Sequence, residues 1–109
     1  KEARELVKAI YYNFAAVKDF SFRDQIQRAS LSVMSNIAEG FDRGSNKEFV
    51  QFLTVARGSL SEVRSLLIAA MDIGFIGTDA CSEINQRCLR LSSLLNGFIR
   101  YLTTSERKR

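Results

Sequence analysis

Apolar residues recur at intervals of three and four along most of this chain, in four runs separated by short polar breaks. In the first run, about residues 2–18, Ala3, Leu6, Val7, Ile10, Phe14 and Val17 share one helical face, which Tyr11 and Tyr12 widen. The stretch KDFS then breaks the pattern. Ser21 followed by Asp24 fits an N-terminal cap, in which a side-chain oxygen accepts from free backbone N–H groups. The second run, about 22–42, carries two stripes: Ile26, Ala29, Val33, Ile37 and Phe41 in one, Leu31, Met34 and Ala38 in the other. Two stripes predict two buried faces, one in the chain's own core and one for another subunit. The third run, about 46–73, is a continuous stripe of Phe49, Phe52, Leu53, Ala56, Leu60, Val63, Leu67 and Ala70. Gly58 lies within it at a cost of about 1 kcal/mol relative to Ala, and with Ser59 and Ser61 it marks a candidate close approach of helices. In the fourth run, about 79–104, Cys81, Ile84, Cys88, Leu91, Leu95, Phe98 and Leu102 face one way, with Arg87, Arg90 and Arg100 off that stripe.

The breaks read as helix corners. In SNIAEGFDRGSNKEF, residues 35–49, Ser45 can accept from the N–H of residue 48 while Glu48 reaches back to the N–H of Ser45. Gly40 or Gly44 can take the left-handed conformation that ends the preceding helix. In GFIGTD, residues 74–79, a glycine stops one helix and Thr78 or Asp79 caps the next. Connectors this short favour antiparallel neighbours. No strand-period alternation competes, and no proline interrupts a helical ladder. The prediction is an all-α, antiparallel, up-down-up-down four-helix bundle forming a single domain over residues 1–109.

Composition narrows the chemistry. There is no histidine, the commonest general base, and no Gly-rich phosphate loop. The Glu-x-x-His signature of di-iron bundles is therefore ruled out, and no enzyme activity, cofactor or metal is expected. Cys81 and Cys88 would lie on one helix face about 10 Å apart, too far for a mutual disulfide. Two buried thiols in a reducing cytoplasm is the plain reading. No apolar run approaches the roughly 20 residues of a membrane helix, and the charged start KEARELVKAIYY is not a secretory leader. The chain opens without Met, so residues are expected upstream.

The net charge is +4, but Arg107, Lys108 and Arg109 carry most of it, and residues 1–106 sum to only +1. Arginine outnumbers lysine 11 to 5, which suits bidentate contacts to phosphate or carboxylate and suits a salt-bridged surface equally. Arg57 and Arg64 share a face of the third helix, and Arg87 and Arg90 share a face of the fourth. If those faces adjoin they make a basic patch able to take phosphates; otherwise, with Glu62 and Glu83 close in sequence, they are solvated surface. Glu39 has two readings: a hold on a partner's arginine or a ligand, or a carboxylate satisfied by a helix end or by Arg43. The second is the commoner fate of a buried carboxylate. Asn36 is read the same way, with a helix-crossing hydrogen bond ahead of a ligand contact.

From Ser35 onward the chain resembles the bacterial four helix bundle proteins, also called the 23S rRNA intervening sequence protein family. The resemblance rests on Ser35 to Gly40, Arg43, Ser45, Lys47 to Phe49, and Ala56, Gly58, Ser59, Leu60 and Glu62, with ARELVKAIY from Ala3 matching the first helix. Met34 stands where many members carry proline, and the Trp-bearing segment that usually precedes the first helix is missing. The resemblance implies a bundle assembled as a ring, typically a pentamer. A related branch, the accessory proteins of diversity-generating retroelements, binds a reverse transcriptase and nucleic acid through a basic ring. It supplies no catalytic residues. Asn36, Glu39, Gly40, Arg43, Ser45 and Glu48 carry over as a structural signature. The expectation is a cytoplasmic, oligomeric adaptor for RNA or an RNA-handling protein. Its candidate contacts are Arg57, Arg64, Arg87, Arg90, Arg107, Lys108 and Arg109. A protein-only assembly scaffold is the alternative.

Overall fold

The computed structural model describes residues 1–104, which fold as four helices: α1 (Glu2–Phe14), α2 (Phe20–Phe41), α3 (Asn46–Ile73) and α4 (Thr78–Thr104). Each helix packs on the next in sequence, and α1 closes the circuit against α4. The result is an all-α four-helix bundle, 49 × 21 × 19 Å along its principal axes. Its core is built from the stripes set out above, except that Tyr11, Tyr12, Phe41 and the second-stripe residues Leu31 and Ala38 are exposed. Leu6, Ile10 and Phe14 of α1 meet Ile26 and Val33 of α2, Leu53, Leu60 and Leu67 of α3, and Ile84 and Cys88 of α4, all shielded from solvent.

The corners depart from expectation in instructive ways. Helix α1 stops at Phe14 rather than near residue 18. The Arg23 guanidinium donates to the carbonyls of Ala15 (3.2 Å) and Val17 (3.4 Å), so a side chain serves the groups that another turn of helix would have used. Helix α2 is capped by Asp19, whose carboxylate accepts from the Phe22 N–H at 3.1 Å, rather than by Ser21. An ionised carboxylate is the stronger acceptor and also suits the positive end of the helix dipole. Helix α4 begins at Thr78, which puts Thr78 and Asp79 in its first turn rather than at the cap.

The only left-handed residue among those described is Gly74, at φ 96°. Its N–H bonds back to Met71 and Ala70, and the Phe75 N–H reaches Ala70 at 2.8 Å, which closes α3 as a Schellman turn. Neither Gly40 nor Gly44 does this at the other corner. Asp42 ends α2 in a right-handed conformation, its N–H directed to the carbonyls of Glu39 and Gly40. Gly40 is needed for space instead: a Cβ there would lie 2.7 Å from Cδ1 of Phe49. Gly58, by contrast, has nothing within 4 Å of where its Cβ would be. The close crossing falls one residue later, where the Ser59 and Ser32 hydroxyls meet at 2.7 Å.

Half of the predicted capping box forms. The Ser45 hydroxyl accepts from the Glu48 N–H at 3.2 Å. The reciprocal bond from the Glu48 side chain does not appear among the described residues. Replacing Ser45 by Ala should therefore cost about 1 kcal/mol, and replacing Glu48 by Ala clearly less. Urea midpoints of the two variants would check the order, and equal losses would restore the full box.

The fourth position of the bundle is taken by helix α1, of 13 residues. Beside its first turn lies an open, apolar groove of about 1030 Å³, floored by Met34, Ile37, Ala38 and Phe41 of α2 and by Leu91, Leu94, Leu95 and Phe98 of α4. Of the second stripe of α2, Leu31 and Ala38 are exposed and Met34 is half-buried. Among the described residues no helix is long and apolar enough to cross a membrane.

Candidate nucleic-acid interface

Arg57 and Arg64 are two turns apart on α3, so they lie in line with about 10 Å between them along the axis. Helix α4 passes alongside and supplies one amide to each. Nη1 of Arg57 donates to Oδ1 of Asn96 at 2.9 Å, and Nε of Arg64 donates to Oδ1 of Asn85 at 3.2 Å. Asn85 and Asn96 are eleven residues apart, three turns, and so also lie in line. These bonds knit the α3–α4 seam. They differ in kind from the three ion pairs of the described residues, Lys8–Glu5, Arg28–Asp24 and Arg43–Glu39, each of which joins neighbours on one helix. An amide takes one N–H and leaves the guanidinium charge whole.

Among the described residues no carboxylate pairs with these arginines. Glu62 accepts from Gln25 of α2 at 3.3 Å, on the far flank of α3. Asp72 is eight residues past Arg64, about 12 Å along the helix. Glu83 precedes Asn85 by two positions and is turned about 200° from it. Arg57 is half-buried and Arg64 exposed.

Arg87 and Arg90 belong to a different face. At 3.6 residues per turn they lie about 200° and 140° round α4 from Asn85, away from the seam. Arg87 is half-buried, Arg90 is exposed, and among the described residues neither makes an ion pair. The four arginines are thus split between the α3–α4 seam and another face of α4 rather than joined in one patch. Arg107, Lys108 and Arg109 lie outside the described residues.

The signature stretch is occupied by contacts within the chain. Nη2 of Arg43 bonds Oε2 of Glu39 at 2.8 Å, and the same guanidinium lies 4.7 Å from the Phe52 ring centroid. Glu39 is exposed, not buried. The Asn36 amide donates to the Ser32 carbonyl (2.8 Å) and hydroxyl (3.1 Å) and so braces the Ser32–Ser59 bond from α2 to α3. Beside the stretch, buried Asn46 donates to the Leu102 carbonyl at 3.3 Å, joining the start of α3 to the end of α4. Sequence reasoning had singled out neither Asn46 nor the seam asparagines. For Asn46 a signal was available: a polar residue at the first position of an apolar stripe.

Cys81 and Cys88 are both free and buried. Burial pushes the Cys88 thiol up to about 12, the Arg64 charge pulls it part of the way back, and Cys81 adds a little to the rise. The folded value lies above the unfolded value of 9.0, so this thiol's contribution to stability is whole below about pH 9 and is lost as pH rises from there towards 12. The melting temperature of the wild type should accordingly fall more steeply above pH 9 than that of Cys88→Ala. Parallel slopes would mean that the thiol ionises as freely folded as unfolded.

The family model for 23S rRNA-intervening sequence proteins matches residues 1–97. The crystal structure of a protein of unknown function from the S23 ribosomal protein family of Bacteroides thetaiotaomicron VPI-5482 has the same fold. It superposes with a TM-score of 0.79, covering 89% of this chain and 90% of that one at 24% identity. No curated protein matches this chain. With the family model spanning all but the last residues, a match that takes in α1, α2, α3 and most of α4, the chain belongs to the 23S rRNA-intervening sequence protein family.

Proposed function

We propose that this chain is a non-enzymatic, cytoplasmic adaptor that self-associates and binds RNA through its basic surface. The observation that carries the reading is the pair of α3 arginines held by neutral amides, which keep their charge and most of their donors for an outside anion. Arg87 and Arg90 offer a second basic face. Self-association, as a pentamer on the family resemblance, would cover the apolar groove and the open stripe of α2. A protein-only scaffold is the second reading, favoured by that same groove and by the nearly balanced charge of residues 1–106.

Light-scattering mass, together with binding of a structured RNA at about 50 and 200 mM salt, separates the two, because phosphate contacts weaken steeply over that range. An oligomer with salt-steep binding supports the adaptor. An oligomer that ignores RNA at the lower salt supports the scaffold. A monomer removes self-association from both. Charge reversal at Arg87 and Arg90 should weaken RNA binding, and unchanged affinity would take that face out of the contact surface.

A further inference from the structure

We infer that the principal phosphate-binding surface is the α3–α4 seam, with Arg57 and Arg64 as the contacts and Asn96 and Asn85 as the residues that position them. This rests on the nucleic-acid reading above and assigns it to one face. A guanidinium carries five N–H donors in a rigid plane. A carboxylate partner would occupy a pair of them and cancel the charge. Asn96 and Asn85 occupy one donor each and cancel nothing. The side chains are thereby held in place before any ligand arrives, which lowers the ordering cost of binding.

The same register puts Ser61 of α3 and Ser92 of α4 between the two arginines, hydroxyl side chains of a type that contacts phosphate oxygens. Among the described residues no acid interrupts the line, for the reasons given for Glu62, Asp72 and Glu83. No aromatic residue occurs in 57–64 or 85–96, so no side chain there can stack on a base. The seam is built to follow a phosphodiester backbone and not its sequence.

The asparagines make the test specific, because Asn→Asp preserves shape and brings a carboxylate to each arginine. Binding of a mixed-sequence RNA hairpin, followed by fluorescence anisotropy across a salt series, would compare wild type, N85D/N96D and R57Q/R64Q. Both double variants should bind more weakly, with the slope of log K against log salt shallower by about two. The melting temperature of N85D/N96D should equal or exceed that of the wild type, so weaker binding by that variant would come from the cancelled charge and not from a loosened seam. Wild-type slopes in both variants, with the wild type binding well, would overturn the seam. A shallow slope in R57Q/R64Q alone would overturn the role of the asparagines. Absence of wild-type binding at about 50 mM salt would overturn the nucleic-acid reading itself.

Discussion

Phe49→Ala should lower the stability of the chain by about 3–5 kcal/mol, the usual range for deleting a buried ring. Phe49 is 3% exposed and sits where three helices meet. Its ring centroid is 4.9 Å from that of Phe41 on α2 and 5.2 Å from that of Phe98 on α4, and those two rings are 6.0 Å apart. Removing Phe49 forfeits its own transfer energy, one tilted and one T-shaped aromatic contact worth about 0.5–1.5 kcal/mol each, and the fit against Gly40. The cavity would open beside the apolar groove, so the end of the bundle where α2, α3 and α4 meet loses its anchor. A domain of this size has about 5–15 kcal/mol in total, so the variant should stand near the threshold of folding. Phe52→Ala, which removes a half-buried ring under Arg43, should cost distinctly less. Guanidinium midpoints of both variants at matched protein concentration check this. A Phe49→Ala loss under about 1 kcal/mol would mean that the three rings do not act as a joint.

What could be read from the chain beforehand divides along a physical line. Periodicity is a property of one helix, and the ends of α3 fall where the pattern puts them, at Asn46 and Ile73. The pairing of Arg57 with Arg64 was legible for the same reason, since seven residues return a side chain to one face. Whether that face meets the face of Arg87 and Arg90 depends on how α4 is rotated against α3, and no spacing within either helix records that rotation. Asn85 and Asn96 were invisible as partners because their role exists only across the seam. The end of α1 was misplaced because the group that replaces its last turn, the Arg23 guanidinium, comes from the next helix. Gly40, like Gly44, stands near a helix end and so offers itself as one of two candidate helix stops. Its actual constraint is a ring nine residues later in the chain, beyond a corner.

That constraint gives the second large effect. Gly40→Val should destabilise the chain by roughly 3 kcal/mol, near the top of the usual range for overpacking. Glycine costs about 1 kcal/mol in a helix interior relative to Ala, so propensity alone predicts a gain on replacing it. Contact distances decide the sign. A Cβ at position 40 would lie 2.7 Å from Cδ1 and 3.0 Å from Cε1 of Phe49, and 3.2 Å from Cβ of Phe52. The Phe49 ring cannot swing freely, because Phe41 and Phe98 flank it. The Phe52 Cβ is bonded to the α3 backbone and moves only if the helix does. Valine adds two further methyl groups to that clash, so α2 must withdraw from α3 at this corner. Gly58→Ala provides the opposite case: the same residue type in the next helix with open space around it, and an expected gain of up to about 1 kcal/mol. The two glycines should therefore respond with opposite signs in one denaturation series. Gly40→Ala combined with Phe49→Leu should lose less than the two single losses added together, because a smaller side chain at 49 relieves the clash at 40. Simple additivity would show that the Gly40–Phe49 contact is not what holds position 40 to glycine.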